Sequence, residues 1–60
     1  MIEKVDKIIA EKGRSVEAAI PILQAIQDEF NYLPQEAMER ISETTEISPA
    51  RIYGISTFYS

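Results

Sequence analysis

The chain has 60 residues and a net charge of −4, from ten acidic and six basic side chains, so its field disfavours nucleic acid and anionic membrane surfaces as partners. A domain this short buries only about 60% of the surface that its unfolded chain exposes, which leaves its stability marginal. Because the sequence contains no cysteine and no histidine, it excludes disulfides, thiolate or imidazole metal sites and imidazole-based catalysis within these residues.

The first predicted element is an amphipathic helix over residues 2–12. Its apolar side chains recur at helical spacing between charged residues, and they are Ile2, Val5, Ile8 and Ile9. Gly13 follows Lys12, and glycine supplies the left-handed backbone conformation that commonly closes a helix. We therefore expect this helix to end near Lys12.

The second segment carries the strongest helical pattern in the chain. Its apolar stripe consists of Val16, Ala19, Ile20, Leu23, Ile26 and Phe30. If the helix were capped at Ser15, the ring of Pro21 would clash with the carbonyl four residues earlier. A start near Glu17 or Ala18 places Pro21 among the first residues, whose amides have no intrahelical acceptor. We predict this later start or a bend at Pro21.

A third helix is predicted after a short connection. Asn31 readily adopts the left-handed backbone conformation that ends a helix, so the second helix is expected to end there. Pro34 suits the first position of the next helix. The residues expected to be buried on the third helix are Ala37, Met38 and Ile41, and Ile47 is expected to fill the corner that follows.

A fourth helix is predicted to begin with Ser48 as its cap and Pro49 at its first position. Its buried residues are expected to be Ile52, Ile55 and Tyr59. Inside a helix Gly54 costs about 1 kcal/mol relative to alanine, which suggests a close approach by another backbone. The predicted fold class is all-α: one domain over residues 1–60, a small four-helix bundle with a helix-turn-helix-like second half.

Residues 37–53 have the apolar spacing and the capped second helix of a helix-turn-helix. DNA binding is nevertheless disfavoured, because residues 34–60 contain only Arg40 and Arg51 as cations and carry a net charge of −2, where a DNA-binding domain needs a basic face. Glu46 also occupies the turn position at which glycine is usual.

Carboxylates are the one chemically active group that is plentiful. Asp28 with Glu29, or the trio of Glu36, Glu39 and Glu43, has the composition of a metal or acid–base site, but solvated helix faces account for both. We therefore assign no catalytic, cofactor-binding or metal-binding residue. No apolar run approaches the roughly 20 residues of a membrane span, so we expect a soluble, cytoplasmic protein without membrane insertion.

Two blocks of sequence point to a family. Residues 19–34 read AIPILQAIQDEFNYLP, and residues 47–59 read ISPARIYGISTFY. At this separation they resemble the amino-terminal helical region of the thioredoxin-like [2Fe-2S] subunit of NADH dehydrogenases, to which subunits of NAD(P)-linked hydrogenases and formate dehydrogenases are related. The similarity covers residues 16–60. Glu46 departs from the glycine that the family often has at this turn, which predicts a strained or reshaped corner.

The resemblance implies a helical bundle that precedes a thioredoxin-like domain, in which four cysteines hold a [2Fe-2S] cluster. That domain is expected to follow residue 60, so neither cluster ligands nor electron transfer can be assigned to this chain. The implied partners are the flavin-containing, NADH-oxidising subunit and the adjoining thioredoxin-like domain. The expected function is a non-catalytic docking and assembly domain. The alternative is a free-standing helix-turn-helix-like domain for protein interaction or DNA binding.

Three of the five aromatic side chains lie among the last residues of the chain, and terminal aromatics need something to cover them. Under the resemblance, the candidate interface or junction residues are Tyr53, Gly54, Phe58 and Tyr59, since desolvated aromatics carry much of the energy of a contact. Burial in the bundle core explains Tyr53 and Tyr59 equally well. We expect the isolated chain to self-associate or to unfold at modest temperature.

Overall fold

The computed structural model describes residues 1–59 and places four α-helices among them. In chain order these are α1 (Ile2–Lys12), α2 (Ala19–Phe30), α3 (Gln35–Thr44) and α4 (Pro49–Ser56), with one 3₁₀ turn at Val16–Ala18 and another at Thr57–Tyr59. α1 packs against α2 and α3, and α4 packs against α3 and α2. The described residues form no strand, and none of their helices is long and apolar enough to cross a membrane. The predicted all-α, four-helix fold is confirmed.

The helices enclose one apolar core to which each of them contributes. Its members are Val5, Ile8, Ile9, Ala18, Ala19, Ile22, Leu23, Ile26, Ala37, Met38, Ile41, Ile47 and Ile52. No polar or charged residue among residues 1–59 is buried with them. Ile47 fills the corner between α3 and α4 as predicted. Ile55 and Tyr59, which were expected to be buried, pack against the core but remain partly exposed.

The start of α2 explains how Pro21 is accommodated. Residues Val16–Ala18 form a 3₁₀ turn, and the regular α-helix begins only at Ala19. Pro21 is therefore the third residue of α2, where an amide has no intrahelical acceptor, so its missing N–H costs no hydrogen bond. The predicted late start is confirmed.

The apolar stripe predicted for α2 is wrong in part. Leu23 and Ile26 are buried, but Val16 and Ile20 face solvent, and Ile20 is 57% exposed. Ile22, which the predicted stripe omits, is fully buried. The 3₁₀ turn has 3.0 rather than 3.6 residues per turn, so it rotates Val16 relative to the helix that follows. A stripe extrapolated from Val16 therefore leads to the wrong face of α2.

Local signals set three of the other helix ends. Gly13 ends α1 with φ 102° and ψ 174°. Its φ is positive as predicted, but the conformation lies outside the left-handed helical region, in a region that essentially only glycine occupies. Asn31 ends α2 with φ 69° and ψ 8°, the predicted left-handed stop. Ser48 caps α4 by accepting a hydrogen bond of 3.2 Å from the Arg51 amide, ahead of Pro49 at the first helical position.

α3 begins one residue later than predicted. Pro34 is its cap residue, with an extended ψ of 142°, and Gln35 is the first helical residue. The Pro34 carbonyl accepts a hydrogen bond of 3.1 Å from the Met38 amide, so the proline supplies the first acceptor of the helix. Met38 and Ile41 are buried as predicted.

The corner between α3 and α4 is reshaped but not strained. Glu46, where glycine is usual, is not among the described residues with a positive φ. The Ile47 amide donates a hydrogen bond of 3.1 Å to Thr45 Oγ1. The Glu46 amide donates to the Arg14 carbonyl at 2.9 Å. These bonds satisfy the amides of Glu46 and Ile47 and join the corner to the connection between α1 and α2. Thr45, which ends α3, has an extended backbone, so no glycine turn is needed.

One bidentate ion pair links α1 to α3. The Arg40 guanidinium donates to both carboxylate oxygens of Asp6, with N–O distances of 2.8 and 3.0 Å. This hydrogen bonding is the main cause that holds the pKa of Asp6 below its ordinary value and raises the pKa of Arg40. Both side chains remain partly exposed, so water screens the pair.

Replacing Ile22 with alanine should destabilise the bundle far more than the same change at Ile20. Truncating a buried isoleucine costs about 2–5 kcal/mol, whereas a surface change stays within about 0.5 kcal/mol. Urea melts followed by circular dichroism measure both losses. Equal losses for Ile22→Ala and Ile20→Ala would show that α2 presents a different face to the core.

Asp6→Asn should lower the thermal midpoint at neutral pH, because it removes the carboxylate that Arg40 binds. A pKa lowered by folding adds stability above the unfolded pKa of about 4, and this stability is lost as the pH falls through the folded pKa. The difference between the original chain and the variant should therefore vanish toward about pH 2.

Glu11→Gln, at an exposed carboxylate of the same helix, is the matched control for Asp6→Asn and should leave the midpoint nearly unchanged at neutral pH. A difference between the original chain and Asp6→Asn that persisted at low pH would contradict the assigned role of the ion pair.

Candidate docking surface

The four predicted interface residues lie on α4 and on the 3₁₀ turn that follows it. Ile52 orients α4, because its buried side chain turns one face of the helix toward the core. Neighbouring positions then lie at the flank or on the outer face of the helix. The structure divides the four residues into two that contact the bundle and two that face solvent.

Tyr53 and Tyr59 are the two that contact the bundle. Tyr59 is partly buried against the core, and its hydroxyl donates a hydrogen bond of 3.1 Å to Gln24 Oε1 on α2. Tyr53 is 38% exposed, and its hydroxyl accepts a hydrogen bond of 2.9 Å from Gln35 Nε2 at the start of α3. Each tyrosine attaches the carboxy-terminal part of the chain to a different helix, so packing within the bundle accounts for part of their position.

Phe58 and Gly54 face solvent. Phe58 is 87% exposed, more than any other large apolar side chain that the structure describes. Gly54 is also exposed, and a Cβ placed on it would meet no atom of its neighbours within 4 Å. The expected close approach of another backbone to Gly54 is therefore not made by residues 1–59. Because neither residue contributes to the core, the bundle gives no reason for an aromatic side chain at position 58.

A cleft of about 230 Å³ opens beside Tyr59. The connection between α2 and α3, α3 itself and the end of the chain all contribute to its lining, which consists of Tyr32, Leu33, Met38, Ser56 and Tyr59. Pockets for drug-sized ligands measure about 300–1,000 Å³, so this cleft is small for such a ligand. Its size is closer to that of one large amino-acid side chain.

The sequence did not reveal the part of this surface that precedes α3. Tyr32 is 57% exposed at the edge of the cleft, although the sequence places it only in a short connection. The available signal was an aromatic side chain in a loop, directly before Leu33 and Pro34. Its proximity to Tyr59 could not be inferred, because the two residues are distant in the chain and meet only in the folded bundle.

The described residues offer no metal site, and the helix-turn-helix-like half contains few cations. Residues 1–59 contain no group of three or more histidine, cysteine, aspartate or glutamate residues that could hold a metal ion. Arg40 is paired with Asp6, which leaves Arg51 as the other cation of the helix-turn-helix-like half. The DNA-binding alternative therefore has no support in the structure.

A family model matches almost the whole chain. It describes the thioredoxin-like [2Fe-2S] ferredoxin, and the match covers residues 5–60. No solved structure gives a significant match to the chain. Cysteine thiolates hold clusters of this kind, and the sequence contains no cysteine. The residues present therefore do not fit a [2Fe-2S] cluster. The features that they do offer are the cleft and the exposed aromatic residues.

Gly54→Ala should stabilise the isolated chain by about 1 kcal/mol, because alanine is the better helix former by roughly that amount and no neighbouring atom obstructs the new Cβ. In a domain of this size the gain raises the thermal midpoint by about 4–8 °C.

Gly13→Ala is the matched control for Gly54→Ala. At the φ of 102° that Gly13 adopts, a residue with a Cβ is strained, so the midpoint should fall. A Gly54→Ala chain that melted below the original chain would show that the space beside Gly54 is occupied.

Proposed function

The chain belongs to the thioredoxin-like [2Fe-2S] ferredoxin family, and on that basis we propose that it is a non-catalytic helical docking domain of an iron–sulfur electron-transfer subunit. The membership confirms the resemblance predicted from residues 19–34 and 47–59. Because the sequence supplies no cysteine ligand, the cluster belongs to a thioredoxin-like domain of the same subunit, and the helices hold that domain in place.

The partners in this proposal are the adjoining thioredoxin-like domain and the flavin-containing, NADH-oxidising subunit of the complex. The complex is an NADH dehydrogenase or a related NAD(P)-linked hydrogenase or formate dehydrogenase. The domain works in the cytoplasm or at the periphery of a membrane complex, and it takes no direct part in the redox chemistry.

Phe58 is the observation that supports docking. The core is closed without it, yet its ring is 87% exposed, and an exposed aromatic side chain contributes contact energy only when a partner covers it. Gly54 lies four residues before Phe58, about one helical turn away. The absence of a side chain there lets a partner backbone approach closely. The two residues together form the centre of the proposed contact.

Phe58→Ser should weaken binding of the chain to the purified flavin subunit of the same complex by about tenfold or more, since a central aromatic anchor contributes about 2 kcal/mol or more. The free energy of unfolding should change little, because the ring has no place in the core. Isothermal titration calorimetry measures the affinity, and urea melts measure the stability.

Val16→Ser is the matched control for Phe58→Ser, because Val16 is also an exposed apolar residue but lies on the 3₁₀ turn before α2. It should leave the affinity unchanged. Unaltered binding of the Phe58→Ser chain, or equal weakening by both variants, would refute Phe58 as the anchor.

A further inference from the structure

Charge is distributed unevenly along the chain. Residues 1–14 hold four of the six basic side chains and only three of the ten acidic ones. Residues 15–60 therefore carry seven carboxylates and two guanidinium groups, a net charge of −5. α1 holds three of the six basic side chains and packs chiefly against α2 and α3. The acidic excess belongs to α2, α3 and their connections, while α4 carries a single charged residue, Arg51.

A glutamine links the cleft to a carboxylate on α2. Tyr59 lines the cleft, and its hydroxyl donates to Gln24 Oε1 at 3.1 Å. Gln24 Nε2 in turn donates to Asp28 Oδ1 at 2.9 Å. The exposed carboxylate of Asp28 is therefore held within two hydrogen bonds of the cleft.

A second glutamine links a carboxylate on α3 to α4. Gln35 Nε2 donates to the Tyr53 hydroxyl at 2.9 Å and to Glu39 Oε2 at 3.3 Å. Tyr53 is joined to the cleft through Ser56, whose hydroxyl donates to the Tyr53 carbonyl at 2.8 Å. Glu39 directly follows Met38 of the cleft lining, but the two side chains point in different directions on the helix, since Met38 is buried and Glu39 is exposed. Asp28 on α2 is thus linked to the cleft lining through Tyr59, and Glu39 on α3 is linked to α4 through Tyr53.

We propose that the cleft binds one large apolar side chain of a basic protein segment, in which lysine or arginine residues flank that side chain and meet Asp28 and Glu39. The inference rests on the proposed docking function and names the chemistry of the segment that docks. The apolar side chain is buried against the cleft lining, whose apolar surface comes from Leu33, Met38 and the rings of Tyr32 and Tyr59. Carboxylates that glutamines join to Tyr59 and Tyr53 make cationic neighbours of that side chain the complementary ones.

A second copy of the chain fits this surface poorly. Each copy carries a net charge of −4, and like charges opposed across an interface are unfavourable. Residues 15–60, which include Phe58, carry a net charge of −5, so a second copy supplies no excess of cations to pair with Asp28 and Glu39. A basic segment removes this repulsion. Charge repulsion therefore disfavours self-association of the isolated chain through this surface. Self-association through another surface stays a prediction.

Three synthetic peptides of equal length test the inference on the 60-residue chain with labelled methionine methyl groups. One has a phenylalanine with two lysines on each side, the second has glutamates in place of the lysines, and the third has alanine in place of the phenylalanine. Only the first peptide should shift the Met38 methyl signal. Its affinity should fall about fivefold or more between about 20 and about 300 mM NaCl, because salt screens exposed charge pairs over this range.

Asp28→Asn combined with Glu39→Gln keeps the side-chain sizes and should weaken binding of the lysine peptide about fivefold. Glu3→Gln combined with Glu11→Gln changes the net charge equally, but on α1, and should leave the affinity within about twofold. Equal weakening by the two double variants, binding of the glutamate peptide, or an unshifted Met38 signal would overturn the inference.

Binding to the flavin subunit separates this inference from the proposed function. If that subunit binds the chain but responds neither to salt nor to the variant at Asp28 and Glu39, the docking function stands and the basic segment is wrong. If the lysine peptide binds in the cleft while the flavin subunit does not bind the chain, the inference stands and the proposed partner is wrong.

Discussion

Burial of branched apolar side chains is the interaction on which the rest of this small bundle depends. No disulfide can form in a chain without cysteine, and the ion pairs that join helices are exposed and contribute little. Each helix instead places isoleucine in the core, and the connection between α3 and α4 adds Ile47. The fully buried isoleucines are Ile9, Ile22, Ile26, Ile41, Ile47 and Ile52. Because the stability margin of so short a chain is small, the positions of these residues decide whether any surface exists for a partner to bind.

The helix ends could be predicted because their causes are local. Gly13, Asn31 and Ser48 each act through a single backbone conformation or one short hydrogen bond, and residue types with those preferences stand out in a sequence. The face that α2 buries could not be predicted in the same way. It depends on the rotation introduced by the 3₁₀ turn ahead of Ala19. A helical periodicity continued through that turn predicts that Ile20 is buried, whereas the structure buries Ile22 instead.

The candidate surface was predictable only where the chain itself is unusual. Aromatic side chains close to residue 60 are conspicuous in the sequence. Phe58 and Tyr59 are adjacent, yet Phe58 faces solvent and Tyr59 packs against the core. What distinguishes them is Gln24, which binds the Tyr59 hydroxyl from a helix far away in the chain. The cleft escapes prediction for the same reason, since Tyr32 and Ser56 become neighbours only after α4 has packed onto α3.

The hydrogen bond between the Glu46 amide and the Arg14 carbonyl has a consequence for how the chain folds. It closes a loop that runs from residue 14 to residue 46 and contains both α2 and α3. Closing so long a loop costs conformational entropy that is recovered only once those helices have docked. Individual helices form locally and quickly, whereas this contact waits for the assembled bundle. We therefore expect the two connections, which would ordinarily be the first parts of a chain to open, to open together with the core. Residues 1–59 should then unfold as one cooperative unit rather than as two independent helix pairs.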